Sequence, residues 1–140
     1  YRVAALAAVN AVGDVLDGEG RIVAGARDPD GGFLDSARLL RETAFGEGAG
    51  PLGGGDGNTT LCAVATDAPV SQADLYRVVR MAATALPRRI RPVNTPFDGD
   101  LVFALAPSEL VERVPDAGIL ALGDGAREAL EEALTRAVLR

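Results

Sequence analysis

The first 45 residues alternate between apolar runs and turns rich in glycine and acidic residues. Residues 2–9 (RVAALAAV) form a short apolar run that predicts a buried strand ending at Asn10. Residues 13–26 predict a β-hairpin, because residues 17–20 (DGEG) are turn formers placed between two apolar segments. Residues 35–45 (DSARLLRETAF) predict a short helix.

Two nearly continuous apolar runs follow Thr59, and each predicts a buried strand. Residues 60–67 (TLCAVATD) have the pattern of a strand that is covered on both faces. Residues 101–106 (LVFALA) predict a second strand of this kind.

Helical periodicity separates and follows these two strands. Ser71 is a good N-cap with Asp74 three residues on, and the helix after it is expected to end at Pro87. Residues 118–139 are mainly helical in pattern. The order strand, helix, strand, helix predicts an α/β protein built as a layered sandwich.

The composition limits what the protein is expected to bind. With 140 residues the chain is long enough for one domain with a real core. A net charge of −6 argues against a nucleic-acid or anionic-membrane surface, and no apolar run is long enough to span a bilayer. There is no signal-peptide pattern, and the expected location is cytoplasmic. The chain lacks an initiator Met and opens like the interior of a sheet, so we expect it to begin inside a larger protein.

The residue types that are absent exclude several kinds of catalysis within this chain. The sequence has no His, no Lys and no Trp. A Ser-His-Asp triad, a Cys-His pair, a histidine metal site and a lysine Schiff base are therefore impossible here. The single cysteine, Cys62, lies in an apolar strand pattern and is expected to be a buried, inert thiol.

Three polar features stand at the ends of predicted strands: Asn10, the step Asn58-Thr59-Thr60, and the loop Asp98-Gly99-Asp100. Each one alone has an ordinary explanation as a turn, a cap or a β-branched strand residue. The Asn-Thr-Thr step follows residues 46–57, where seven of twelve positions are glycine, which predicts a mobile, exposed connection.

Together these features predict a nucleophile that activates itself. Cleavage between Asn58 and Thr59 would give Thr59 a free α-amine, whose reference pKa of about 7.7–8 suits a general base at neutral pH. The carboxylates of Asp98 and Asp100 would position that amine and the hydroxyl, and the Asn10 amide would donate to an oxyanion. The glycine-rich segment would let the cut chain leave the site.

The segments NTTLCAVATDAPVSQADLYRVVRMAATAL and RPVNTPFDGDLVFALA, with AAVNAVGDVLD upstream, closely resemble the DmpA-like L-aminopeptidase/D-esterase family. The Asn-Thr-Thr junction is most similar to that of its nylon-oligomer hydrolase branch. The resemblance covers nearly all of this chain, but only about the C-terminal part of a family member.

The resemblance implies an N-terminal-nucleophile-like amidase with an αββα sandwich. After self-cleavage at Asn58–Thr59, residues 1–58 would be the C-terminal end of one subunit, and residues 59–140 would form the other. By the same analogy Thr59 is the nucleophile, Asn10 the oxyanion amide, and Asp98 and Asp100 the acidic partners. No metal or organic cofactor is expected, and αβ units are expected to assemble into tetramers. The nylon-oligomer hydrolase branch also uses a lysine upstream of the region seen here, and this chain contains none.

Three functions remain open from the sequence. The first is hydrolysis of small peptides, β-peptides or amide oligomers through an acyl-enzyme. The second is acyl transfer of the ornithine acetyltransferase type, in which an amine takes the place of water. The third is a non-catalytic role, in which the chain only packs against the rest of an oligomer.

Overall fold

A computed structural model describes residues 1–43, 57–107 and 113–139. The predicted glycine-rich connection, apart from Gly57, lies outside these ranges. Six strands and four helices are found within them. They are β1 (Val3–Ala8), β2 (Asp14–Leu16), β3 (Ile22–Ala24), α1 (Ser36–Thr43), β4 (Leu61–Thr66), α2 (Gln72–Ala82), α3 (Ala85–Arg89), β5 (Ile90–Arg91), β6 (Leu101–Leu105) and α4 (Asp116–Arg136).

The main sheet has the strand order β1-β4-β6. β1 runs antiparallel to β4, with Ala8 opposite Leu61, and β4 runs parallel to β6, with Leu61 opposite Leu101. Since parallel neighbours require a crossover connection, α2 lies in the chain between β4 and β6. A smaller sheet has the order β3-β2-β5 and contains the predicted hairpin as β2 and β3.

One face of the main sheet is covered by helices α2 and α4. The core between them consists of small aliphatic side chains, as the low aromatic content requires: Cys62, Val64, Val78, Ala82, Ile119, Leu122, Ala126, Leu130 and Leu134. The two helices approach closely at Gly123, where a β-carbon would clash with the sulfur of Met81. The predicted α/β class is confirmed, with a helical layer packed on a sheet.

The opposite face of the main sheet is exposed in the described part of the chain, where residues 60–67 and 101–106 are therefore covered on one side and not on both sides as predicted. Along β4 and β6 buried and exposed positions alternate, because successive side chains of a strand point to opposite faces. Apolar side chains on the open face are between 46% and 71% exposed: Leu6, Leu61, Leu101, Phe103 and Leu105.

The predicted end of the second helix is also corrected. Helix α2 ends at Ala82, and Pro87 lies inside the separate short helix α3. Proline is tolerated there because the N–H groups of a first helical turn have no intrahelical acceptor. The strand β5, which the sequence did not predict, follows directly at Ile90.

The other predicted helices are found in the structure, with small differences at their ends. The hydroxyl of Ser71 accepts from the backbone N–H of Asp74 at 3.1 Å, which is the predicted N-cap. Helix α1 covers residues 36–43 of the predicted 35–45, and α4 starts at Asp116 rather than near residue 118. None of the helices in the described ranges has the length and hydropathy of a membrane-spanning helix.

Candidate active site

The candidate site lies at the end of the main sheet where β1 ends and β4 and β6 begin. Beyond the last residue of β1, the carbonyl of Asn10 accepts the backbone N–H of Thr59 at 2.8 Å. This bond extends the antiparallel pairing of β1 and β4 by two positions. It holds the nitrogen of the Asn58–Thr59 peptide bond against β1.

The carbonyl of the same peptide bond is held from the other side. Asn58 pairs with Asp98 in a parallel bridge, and the Asn58 carbonyl oxygen accepts the N–H of Gly99 at 2.9 Å. A β-carbon at position 99 would lie 2.8 Å from Oγ1 of Thr59. The Thr59 hydroxyl therefore occupies the space that a side chain at residue 99 would need.

The carboxylates of Asp98 and Asp100 each accept a backbone hydrogen bond at one of their two oxygens. Oδ1 of Asp100 accepts the N–H of Thr60 at 2.7 Å, and Oδ2 of Asp98 accepts the N–H of Thr95 at 2.8 Å. Within the described residues, the second oxygen of each carboxylate is buried and has no hydrogen-bond partner. Buried carboxylate oxygens normally accept a hydrogen bond, so these oxygens could still accept one from a further donor at this site.

The side chain of Asn10 binds the segment before the junction. Its Nδ2 donates to the carbonyl of Gly57 at 3.1 Å. Gly57 has a φ of +81°, a left-handed conformation that favours glycine. The amide predicted to serve an oxyanion therefore contacts the carbonyl one residue before that of Asn58.

The two threonines of the junction point to opposite faces of the sheet. Thr60 is completely buried, like Cys62 and Val64, and lies on the face that the helices cover. Since side chains alternate along a strand, Thr59 lies on the open face with Leu61. The Thr60 hydroxyl has no hydrogen-bond partner among the described residues.

Cys62 also lies close to this site, but it is not poised to react. It is 2% exposed, and burial, with a smaller contribution from the negative charge of Asp100, raises its pKa to about 11. A thiol with so high a pKa is almost entirely protonated at neutral pH. The prediction that Cys62 is buried is therefore confirmed.

The structure thus brings all the sequence-predicted site residues to one end of the sheet: Asn10, Asn58, Thr59, Asp98 and Asp100. Among the hydrogen bonds of the described residues, none joins the Thr59 hydroxyl directly to a carboxylate. The connection passes through the backbone of Thr60 and Gly99. Gly99 was not among the predicted site residues, although its position between two aspartates is visible in the sequence.

Comparison of the sequence and structure with known proteins identifies related proteins. The sequence profile of peptidase family S58 matches residues 1–140. An uncharacterized aminopeptidase of Mycobacterium tuberculosis is 37% identical over 147 residues, which covers 98% of this chain and 42% of that protein. A 6-aminohexanoate-oligomer endohydrolase of Agromyces sp. is 30% identical over 109 residues, covering 78% of this chain and 30% of that protein. A Burkholderia sp. beta-aminopeptidase structure aligns with a TM-score of 0.49 and 23% identity, covering 96% of this chain and 40% of that chain.

The chain spans less than half the length of these relatives. The profile match nevertheless extends over its whole length, from the strand before Asn10 to the helix after the Asp-Gly-Asp loop. The resemblance drawn from the Asn-Thr-Thr junction and that loop is confirmed, and the chain belongs to peptidase family S58.

Proposed function

We propose that this chain is part of a self-processing amidohydrolase whose nucleophile is Thr59, released by cleavage of the Asn58–Thr59 bond. The observation that carries this proposal is the way the bond is held. Its nitrogen donates to Asn10 and its carbonyl oxygen accepts from Gly99, while the Thr59 hydroxyl lies beside Gly99. A peptide bond fixed at both ends next to a hydroxyl is well placed for intramolecular attack.

The released α-amine of Thr59 is the general base of the proposed mechanism. This chain offers neither His nor Lys for the purpose, and an α-amine titrates near neutral pH. In the neutral form the amine takes the proton of its own hydroxyl as that hydroxyl attacks the amide carbonyl. It then donates a proton to the departing amine of the substrate.

Asp98 and Asp100 position the released amine. Each carboxylate has one oxygen fixed by a backbone N–H and one buried oxygen without a donor in the described part of the chain. A new ammonium group at residue 59 brings donors to this end of the sheet. Charge-assisted hydrogen bonds to the free oxygens would hold it and favour its protonated form.

Asn10 is proposed as the oxyanion donor for the substrate. In the uncut chain its Nδ2 is engaged by the carbonyl of Gly57. Departure of the segment before Thr59 frees this amide, and a donor of that kind stabilises the oxyanion that forms when the substrate carbonyl is attacked. Cleavage would therefore activate the nucleophile and the oxyanion donor together.

The rest of the protein completes the site. Residues 1–58 would end the α-subunit, and residues 59–140 would form the β-subunit. We propose that the N-terminal part of the α-subunit covers the open apolar face of the main sheet, since large exposed apolar patches mark contact surfaces. That part would supply the expected lysine, and the αβ units would assemble into tetramers.

The proposed substrates are small peptides, β-peptides or amino-acid amide oligomers, in keeping with relatives named aminopeptidase and 6-aminohexanoate-oligomer endohydrolase. The full-length protein should release amines from aminoacyl amides, β-peptides or 6-aminohexanoate oligomers, and Thr59→Ala should not. Adding ornithine separates the alternatives, because a transferase would form acyl-ornithine in place of the free acid. Absence of amidase activity in the complete protein would contradict the proposal and favour a non-catalytic role.

A further inference from the structure

We infer that the backbone N–H of Gly99 is the oxyanion donor for the self-cleavage step, and that glycine is needed there because the Thr59 hydroxyl takes the place of a side chain. This inference rests on the proposed function. It assigns to Gly99 a part in the reaction that the sequence pattern gave to Asn10 alone.

The Gly99 N–H is already bonded to the atom that would become negatively charged. It donates to the carbonyl oxygen of Asn58 at 2.9 Å, within the range at which oxyanion donors act. The Asn10 amide donates instead to the carbonyl of Gly57. In the uncut chain, therefore, the donor on the scissile carbonyl is a backbone group of the Asp-Gly-Asp loop.

The register of the parallel strands fixes this donor. Leu61 lies opposite Leu101, and the N–H of Leu101 donates to the carbonyl of Thr60 at 3.0 Å, one ladder bond further along. Asp98 and Asp100 on either side of Gly99 are also held by backbone hydrogen bonds. A donor fixed in this way does not need to reorganise when charge develops on the oxygen.

The space beside Gly99 explains why this residue is glycine. With a β-carbon at position 99 only 2.8 Å from Oγ1 of Thr59, one of the two groups would have to move. The hydroxyl is thus kept close to the strand that holds the scissile carbonyl. A side chain at residue 99 would displace the attacking oxygen without removing the N–H donor.

Self-cleavage of the Asn58–Thr59 bond needs no reactant other than water. Oγ1 of Thr59 forms a bond to the carbonyl carbon of Asn58, and the electron pair of the C=O bond moves to the oxygen held by Gly99. The bond from that carbon to the Thr59 nitrogen then breaks as the oxyanion returns its electron pair, and the hydroxyl proton ends on this nitrogen. Water hydrolyses the resulting ester, which restores the hydroxyl and leaves a carboxylate on Asn58.

The test replaces one backbone amide by an ester in the full-length protein, assembled by ligation and refolded from denaturant. An ester at residue 99 removes the Gly99 N–H and leaves its size unchanged. We expect cleavage at Asn58–Thr59, followed by intact mass, to slow by about 10²–10³-fold relative to the unmodified chain. The matched control is the same ester at Leu101, which removes the neighbouring ladder bond but leaves the donor on the Asn58 carbonyl in place, and it should slow cleavage far less than the ester at residue 99.

The outcomes separate the two claims. If both esters cleave equally fast, the role of the Gly99 N–H is overturned while the proposed function stands. If the unmodified full-length chain stays intact, both fall.

A Gly99→Ala variant, which needs no ligation, keeps the N–H and displaces the hydroxyl. It should cleave more slowly than Gly18→Ala, where a β-carbon meets only the Arg89 guanidinium at 3.8 Å. Equal rates for the two variants would contradict the assigned position of the hydroxyl.

Discussion

The backbone N–H of Thr60 donates to Oδ1 of Asp100 at 2.7 Å, so the residue that follows the proposed nucleophile is tied to the acidic loop through its main chain. Its hydroxyl takes no part in this contact and lies in the interior without a partner among the described residues. The neighbouring Thr59 faces the open side of the sheet, next to Gly99. Adjacent and chemically identical side chains are therefore given different environments by the alternation of a strand.

Replacing the buried hydroxyl of Thr60 should be harmless. Thr60→Val keeps the shape and removes a polar atom that has no partner in the described structure, so we expect equal stability or a gain of up to about 1 kcal/mol. The matched control is Thr66→Val, because the Thr66 hydroxyl donates to the Arg2 carbonyl at 2.9 Å and accepts from the Ala68 N–H. That variant should lose about 1–2 kcal/mol. Chemical denaturation measures both, and equal losses would contradict the assigned environment of Thr60.

The Cys62 thiol should report the charge of Asp100. Burial is the larger reason why the pKa of Cys62 is raised to about 11, and the Asp100 carboxylate adds to it because a negative charge disfavours the thiolate. Asp100→Asn should therefore lower the Cys62 pKa, while burial keeps it above its ordinary value. Ultraviolet titration of the thiolate gives the shift. Asp98→Asn is the control and should leave the titration in place; a shift of equal size in both variants would contradict the pairing of Asp100 with Cys62.

The buried carboxylate of Glu131 should matter for stability. It binds Arg88 and Arg89, each at 2.6 Å, and so joins α4 to α3. Glu131→Gln leaves the partly buried guanidinium of Arg89 without its counter-charge, and we expect a loss of about 3 kcal/mol.

A neighbouring acid provides the control for Glu131. Glu132 on the same helix pairs with Arg136, and the side chains of both are largely exposed. Glu132→Gln should change the free energy of unfolding by less than about 0.5 kcal/mol. Equal effects of the two substitutions in denaturant titrations would show that the Glu131 network does not stabilise the packing of α4 on α3.

Much of the fold could be predicted from local patterns. The strand before Asn10, the hairpin, the Ser71 cap and the last helix each depend on signals contained within a few residues. The covering of β4 and β6 could not be predicted correctly, because an apolar run does not tell which face is packed by the segments present. Helix α3 was missed because Pro87 is a helix terminator in most contexts but fits a first turn.

The site was predictable in its residue types and not in its contacts. Asn10, Thr59 and the two aspartates stand out as polar groups at strand ends, and the sheet brings them to one edge. The hydrogen bonds that backbone groups make in the site depend on the register of strand pairing, which cannot be read from a single sequence. Glycine at position 99 has no side chain to suggest chemistry, and only its pairing with Asn58 in the structure shows that its backbone N–H is a donor.

The proposed function requires Thr59 to become a chain terminus, and intact mass spectrometry of the full-length protein shows whether it does. We expect two polypeptides, the second beginning at Thr59 when its N-terminal sequence is read. Thr59→Ala should give one uncut chain, and Thr60→Val should cleave as the unsubstituted protein does. An active enzyme made of a single intact chain, or a break at any other bond, would contradict the account.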